Sequence, residues 1–435
     1  MKKSLIFLLM FVLLGSMLFA GGSKASTQTA PSSGSEKKVI HVFHYLITSG
    51  GPAMVEKIEA AYTKLNPNIT FENSVYNQGT DYFPQLATAL ASGEQPNIIM
   101  GNAGMYPDLI ANGYAMNLTN NAVLKRLNLP AGDLGDVSSN GIVYGFPIDI
   151  KTWGVFYNVE IFNKLGLKPA KTQSELMDIC KKLAAAGIDP WVHSFGDAVY
   201  GDIEMRNTVW TRALDAGDKD LFDALMSGRK KFTDYPYFLE GLKVWQQRMQ
   251  WSRKDSMSNN QDKAQEVFVA GQAAMYYTGV WAISGLVLKN KDFKFDFFLA
   301  PIDENPNSQK MNVQVDTALM VNPKAKNSDE ALKFLEWWIT DGAATWSSIY
   351  QVATTTGKVS DDVVPVVKSV AAIKASGAVS GYGAFTKPFN AEYTQAWRRG
   401  LTAFAESVIT GGRMTPEQCL ANLQSLFDNI RATTK

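Results

Sequence analysis

Histidine and cysteine, which carry much metal and nucleophilic chemistry, are few in this chain of 435 residues. Its three histidines include His41 and His44, spaced as H-x-x-H, with His193 far away. Residues three apart in a strand face opposite sides, so this spacing does not build a metal site. Asp215, Asp218 and Asp220 cluster, but they lack the oxygen-ligand spacing of a calcium loop and read as a solvated helix start. No G-x-S-x-G elbow, phosphate loop or H-E-x-x-H occurs. The expectation is a protein that is not an enzyme, with no cofactor and no metal.

Aromatic side chains are more informative. Among ten tryptophans, Trp281 follows Gly279 and Val280, and Trp153 precedes Gly154. Trp397 lies in the polar run Glu392-Tyr393-Thr394-Gln395-Ala396-Trp397-Arg398-Arg399. Flat indole faces suit the C–H faces of a saccharide, and Asp, Asn, Lys or Arg suit its rim of hydroxyls. Burial in the core is the competing reading for any one Trp. It suits Trp337 and Trp338 best, because their helix is strongly amphipathic.

The elements that must position these residues alternate. A strand at Val39–Tyr45 leads to a helix at Pro52–Leu65, whose Val55, Ile58, Ala61, Tyr62 and Leu65 recur at helical spacing. Ile69–Val75 and Asn97–Met100 read as strands separated by a helix at Phe83–Ala91. Such alternation indicates βαβ units and parallel strands, and open parallel sheets bind ligands beyond the carboxyl ends of their strands. After a turn at Asp149, Lys151 and Thr152 come a strand, Gly154–Asn158, and a helix, Glu160–Leu165. Later helices are expected at Gln173–Ala186 (capped by Thr172), Glu204–Leu214, Tyr237–Trp251, Asp262–Ala270 and Ser328–Trp338 (capped by Ser328). Strands are expected at Ile188–Val192, Ala273–Tyr277, Phe295–Leu299 and Val313–Val321, and the last hundred residues read as almost all helix.

The length suggests about two domains. A formal net charge of +1 argues against nucleic acid as a partner. Lys2 and Lys3, an apolar run from Leu5 to Phe19 and the small residues Ala20, Gly21 and Gly22 read as a signal peptide, 1–20. A flexible leader of Ser, Thr, Gly and Ala follows at 21–37. Cys180 and Cys419, the only cysteines, lie in separate helical patterns and read as two buried thiols.

One stretch goes further. Pro147-Ile148-Asp149, then Gly154-Val155-Phe156-Tyr157-Asn158, then Phe162, Lys164 and Leu167, resembles the signature segment of the family 1 extracellular solute-binding proteins. These are sugar-capturing receptors of ABC importers. FVAGQAAMYYTGVWAISG, Phe268–Gly285, is similar to the family's second recurrent segment, and IIMGNAGMYPDLIANG, Ile98–Gly113, to its third-strand loop. The resemblance implies an α/β, two-lobed periplasmic-binding-protein fold (type II), each lobe a mainly parallel sheet flanked by helices. Residues 38–149 and 301–354 would form the first lobe, and 150–300 and 355–435 the second. It also implies a ligand set of Tyr45, Asn102, Asp149, Lys151, Trp153, Trp281 and Trp397, and a carbohydrate captured by hinge closure. The partners would be that small-molecule ligand and the importer's permease subunits in the membrane, with the protein itself a monomer. Gly104 and Met105 stand where maltose-type members carry charged groups, which argues against a maltodextrin. Gly21 stands where many relatives carry a lipid-anchored cysteine, so a periplasmic or extracellular protein without an anchor is expected. A binder of a non-sugar solute such as glycerol phosphate is the nearest alternative, and a secreted glycosidase a more distant one, since carboxylate separation is a three-dimensional quantity.

Overall fold

The computed structural model describes residues 36–47, 50–78, 81–103, 106–376, 379–381, 385 and 389–433. The expected signal peptide and the leader up to Ser35 lie outside the described residues, as do Gly104 and Met105.

β1 (Lys38–His44), β2 (Ile69–Val75) and β3 (Ile98–Met100) alternate with helices Gly51–Leu65 and Tyr82–Ala91 and pair in parallel. A hairpin of β4 (Ser138–Ser139) and β5 (Ile142–Val143) turns through Asn140 and Gly141, both at positive φ, as a two-residue Asn-Gly turn demands. Then come β6 (Phe146–Pro147), β7 (Ile150–Lys151) and β8 (Trp153–Asn158) in close succession. β9 (Asp189–Val192), β10 (Ala273–Gly279) and β11 (Phe295–Phe298) are spaced by helices, and β12 (Met311–Val315), β13 (Ala318–Val321) and β14 (Val379–Gly381) complete the set.

Two principal sheets result, ordered β2-β1-β3-β13-β6 and β11-β8-β10-β9, with a smaller three-stranded one, β14-β12-β7. The parallel expectation holds at β2-β1-β3 and β9-β10, while β13, β8 and β11 pair antiparallel. Each principal sheet is buried on both faces. Ile40 and Val42 pack with helices Gly51–Leu65 and Ser328–Ile339, and Phe43 and Ile99 pack with Tyr82 and Leu86 on the other side. In β8, Trp153, Val155 and Tyr157 face one core and Phe156 the opposite one, following the two-residue period of a strand.

Some local expectations shift. Val313–Val321 is two strands, because β12 and β13 belong to different sheets and the chain breaks pairing at Asp316-Thr317. Trp153 begins β8 and does not stand in the turn before it. Helix Ser328–Ile339 starts after Asn327, which takes left-handed backbone at φ 65°, and Ser328 makes no cap. Thr172 does cap its helix, its hydroxyl accepting from the Glu175 N–H at 3.2 Å. The Glu204–Leu214 helix contains a π-helical turn at Arg206–Trp210. Both cysteines are buried free thiols. Among the described residues no helix is long and apolar enough to cross a membrane, and no group of three or more His, Cys, Asp or Glu could hold a metal.

Candidate functional site

Three stretches of backbone run side by side where the chain passes between its two principal sheets. The Ile148 N–H donates to the Thr317 carbonyl at 2.8 Å, the Ile150 N–H to Ala353 at 3.1 Å, and the Thr355 N–H to Ile148 at 3.1 Å. Asp149 ties them together. Its fully buried carboxylate accepts from the Thr317 N–H at 2.9 Å and from Trp346 Nε1 at 2.6 Å. Burial first, then the charge of Asp316, holds this carboxyl above the ordinary Asp range, while the bonds from Trp346 and Thr317 oppose the shift.

A polar group gathers around this knot. Lys151 Nζ lies 3.3 Å from Asp316, and both side chains keep some exposure. Tyr45 follows β1, with its ring edge-on to Tyr82 at 5.0 Å. Burial chiefly, and then the fields of Tyr106, Asp316 and Asp149, raise its phenol well above 10. Tyr350 feels Asp316, Asp149 and Tyr45 in the same way, and its ring stacks on Trp346 at 4.8 Å. Asn102 follows β3 and is half-buried. The glycine before it has a reason: a Cβ on Gly101 would lie 1.9 Å from the Tyr106 ring, which folds back so that its hydroxyl donates to the Met100 carbonyl at 3.0 Å. Tyr45 and Asn102 thus sit beyond the carboxyl ends of neighbouring parallel strands.

The second sheet presents a comparable edge. β10 ends at Gly279, where a Cβ would lie 2.0 Å from the Trp281 ring, so only glycine lets the indole lie across the strand end. Trp281 is half-buried, and its Nε1 donates to the Tyr200 hydroxyl at 2.8 Å. That hydroxyl in turn donates to Gln261 at 2.6 Å. Trp153 lies 6.5 Å from Trp281, ring centre to ring centre, and the Arg206 guanidinium stands 5.8 Å from the Trp153 ring centre. Leu288, beyond Trp281, reaches the loop before helix Gly51–Leu65: a Cβ on Gly50 would be 3.2 Å from its δ-methyl.

The seven residues singled out in the sequence therefore fall into distinct settings. Tyr45, Asn102, Lys151 and Trp281 are half-buried at strand ends or at the crossing. Asp149 is sealed inside the knot and Trp153 inside β8. Trp397 is 1% exposed, stacked on Phe232 and enclosed by Phe238 and Phe389. It offers no open face in this conformation, because its helix, Ala391–Ile409, turns that side into the core. Sequence reasoning missed Asp316, Tyr350, Tyr200, Asp202 and Arg206. Asp316 was hidden by reading β12 and β13 as one strand. Two polar residues inside an otherwise apolar run, Asp316-Thr317, were the available signal.

A separate open cavity of about 560 Å³ is lined by Arg212, Asp218, Asp220, Arg229, Tyr235 and Tyr237. Its charges already pair internally, Arg212 with Glu240 and Arg229 with Asp220, while the Tyr237 hydroxyl donates to Asp218. It does not resemble a ligand site awaiting partners.

Known proteins share sequence and fold with this chain. The multiple sugar-binding protein of Streptococcus mutans is 25% identical over 306 residues, spanning 66% of this chain and 68% of the relative. An ABC transporter extracellular-binding protein of Pyrococcus horikoshii is 22% identical over 345 residues, 76% of each chain. Among solved structures, RafE in complex with raffinose superposes with a TM-score of 0.71 at 18% identity, covering 90% of this chain and 99% of that one. A chitin oligosaccharide binding protein gives 0.70 at 22% identity, covering 91% and 100%. These likenesses identify the fold as the two-lobed α/β type. The family model for bacterial extracellular solute-binding proteins matches residues 46–345, more than half of the sequence, and the chain belongs to that family.

Proposed function

We propose that this protein is the solute-capturing component of an ABC importer and that its solute is a carbohydrate. The observation that carries the reading is the half-buried indole of Trp281, held through its Nε1 at the carboxyl end of β10. Tyr45, Asn102 and Lys151 supply polar edges, and Trp281 supplies the face. Asp149, Trp153 and Trp397 act as framework, holding the crossing and the second lobe in shape. The names of the S. mutans relative and of the RafE and chitin oligosaccharide structures support a saccharide.

The mechanism is hinge closure. The lobes, residues 38–149 with 301–354 and residues 150–300 with 355–435, rotate about the three-stranded crossing, and the ligand meets the second lobe's groups only when the cleft shuts. The closed form is what the permease subunits in the membrane recognise. The protein acts as a monomer outside the cytoplasm, after removal of its signal peptide, and catalyses no reaction. Hydrogen bonds to charged groups in a water-poor cleft contribute roughly 1.5–3 kcal/mol each, and a wrong hydroxyl leaves a buried partner unpaired.

A ligand that binds only the native state raises its stability by RT ln(1 + [L]/Kd). A thermal-shift panel of mono- and oligosaccharides should therefore contain at least one that raises Tm. A shift with polyamines, phosphates or metals and none with any saccharide would refute the carbohydrate reading.

A further inference from the structure

Among the described residues, the exposed large apolar side chains are Val39, Ile47, Leu65, Phe83, Val199 and Leu288. Four of these six lie beside the two strand-end edges. Ile47 follows Tyr45 by two residues, its N–H donating to the Tyr45 carbonyl at 3.0 Å. Phe83 adjoins Tyr82, whose ring meets Tyr45 edge-on. Val199 adjoins Tyr200, the partner of Trp281 Nε1. Leu288 lies on the helix Ala282–Lys289 that starts after Trp281. Apolar surface gathered around polar groups marks ligand grooves and contact sites, whereas single scattered residues need no explanation.

Phe83 is the aromatic member of this set. It is 40% exposed, more than any other aromatic among the described residues. Core packing does not require it there. Helix Tyr82–Ala91 buries Tyr82, Leu86, Ala89 and Leu90, a helical stripe to which Phe83 does not belong. Its ring is nonetheless fixed in place. Tyr106 lies 5.4 Å away at 34°, and Tyr82 lies 5.8 Å away at 87°. Tyr82 is itself anchored, because its hydroxyl donates to the Met100 carbonyl at 2.8 Å, at the end of β3. Phe83 therefore stands on the edge that carries Tyr45 and Asn102, beside the carboxyl ends of the parallel strands. A ring held in advance loses little freedom on binding.

Its position relative to Tyr45 is informative. Tyr82 stands between them, 5.0 Å from Tyr45 and 5.8 Å from Phe83, centre to centre. The exposed ring thus lies one aromatic ring farther out than Tyr45. A single sugar unit on Trp281, with its hydroxyls at Tyr45, leaves Phe83 unused. A second unit farther along would bring its C–H face onto it. We infer that the solute is an oligosaccharide and that Phe83 stacks on a sugar unit beyond the one on Trp281. This rests on the carbohydrate reading above and adds a chain length to it.

The test is titration of the full chain with four ladders, each running from one to four sugar units. They are the α-galactosides ending in stachyose, and the oligomers of chitin, xylan and cellulose. Within a ladder that binds, affinity should rise by about tenfold or more from the shortest binding member to the longest. Phe83→Ala should remove that rise and, because the ring is exposed, should melt close to the wild type without ligand. Phe83→Tyr, which keeps a ring, should keep most of the rise. Tightest binding by a monosaccharide, or an unchanged rise in Phe83→Ala, would overturn the inference and leave the carbohydrate reading standing. A response to no member of any ladder would also overturn it, and a silent saccharide panel as well would take the carbohydrate reading with it.

Discussion

Asp149 and Asp202 are both buried carboxylates, yet their surroundings give them different work. Asp149 accepts from two neutral donors, the Thr317 N–H and Trp346 Nε1, and has Asp316 for a neighbour. Its bonds close three backbone segments on each other, and both donors are fully buried. Asp202 is held by cations whose other atoms reach the surface. The first carboxylate is a knot in the crossing between the two principal sheets, and the second is a counter-ion shared by two guanidiniums. Residue type alone does not separate these roles. What separates them is whether the partners are neutral donors or cations.

Trp397 and Trp281 likewise share a residue type and differ in setting, and the largest expected effect tests that difference. Trp397→Ala removes a ring packed among Phe232, Phe238 and Phe389 and should cost about 3–5 kcal/mol in urea unfolding, the range for large aromatic truncations in a core. A loss below about 1 kcal/mol would mean that this helix face is not core. Asp149→Ala leaves the Trp346 and Thr317 N–H groups buried without their acceptor, at about 1–3 kcal/mol each. Its unfolding midpoint should fall clearly, whereas Lys151→Ala, on the exposed side of the knot, should change stability by less than about 1 kcal/mol. Equal losses would erase the distinction between knot and rim.

A smaller effect separates both regions from the first lobe's own core. Glu59, on helix Gly51–Leu65, is buried against β2, where its Oε2 accepts from Asn73 Nδ2 at 2.9 Å. Burial pushes its carboxyl up to about 7, against the pull of Asn73. Because the folded value is raised, its favourable contribution is present in acid below the unfolded value and is lost as pH rises through about 7. Glu59→Gln should therefore gain on the wild type by roughly 1–3 kcal/mol between pH 4 and pH 8, measured by unfolding at each pH. A constant difference across that range would contradict the assignment.

Much of this fold was legible because its signals are local. The helical spacing of Val55, Ile58 and Tyr62, the Thr172 cap and the strand-to-glycine exits at Gly101 and Gly279 all report on neighbours a few residues away. The signature around Asp149 lies where the chain passes from one principal sheet to the other. Its side-chain role was not legible, since the partner indole belongs to Trp346, 197 residues later. Trp397 misled for the same reason: a polar run around a tryptophan looks open until the tertiary packing of Phe232 and Phe389 closes it. The Asp202–Arg206–Arg398 group was scattered over helices that look separately solvated in sequence. Only the fold brings its charges onto one carboxylate.

The central claim is that solute is held on the face of Trp281, and the most direct measurement compares Trp281→Ala with wild type in the saccharide thermal-shift panel. The account predicts that the variant melts close to the wild type without ligand and shows no shift with the saccharide that stabilises the wild type. A ligand shift that survives in Trp281→Ala at full size would contradict it and move the site elsewhere.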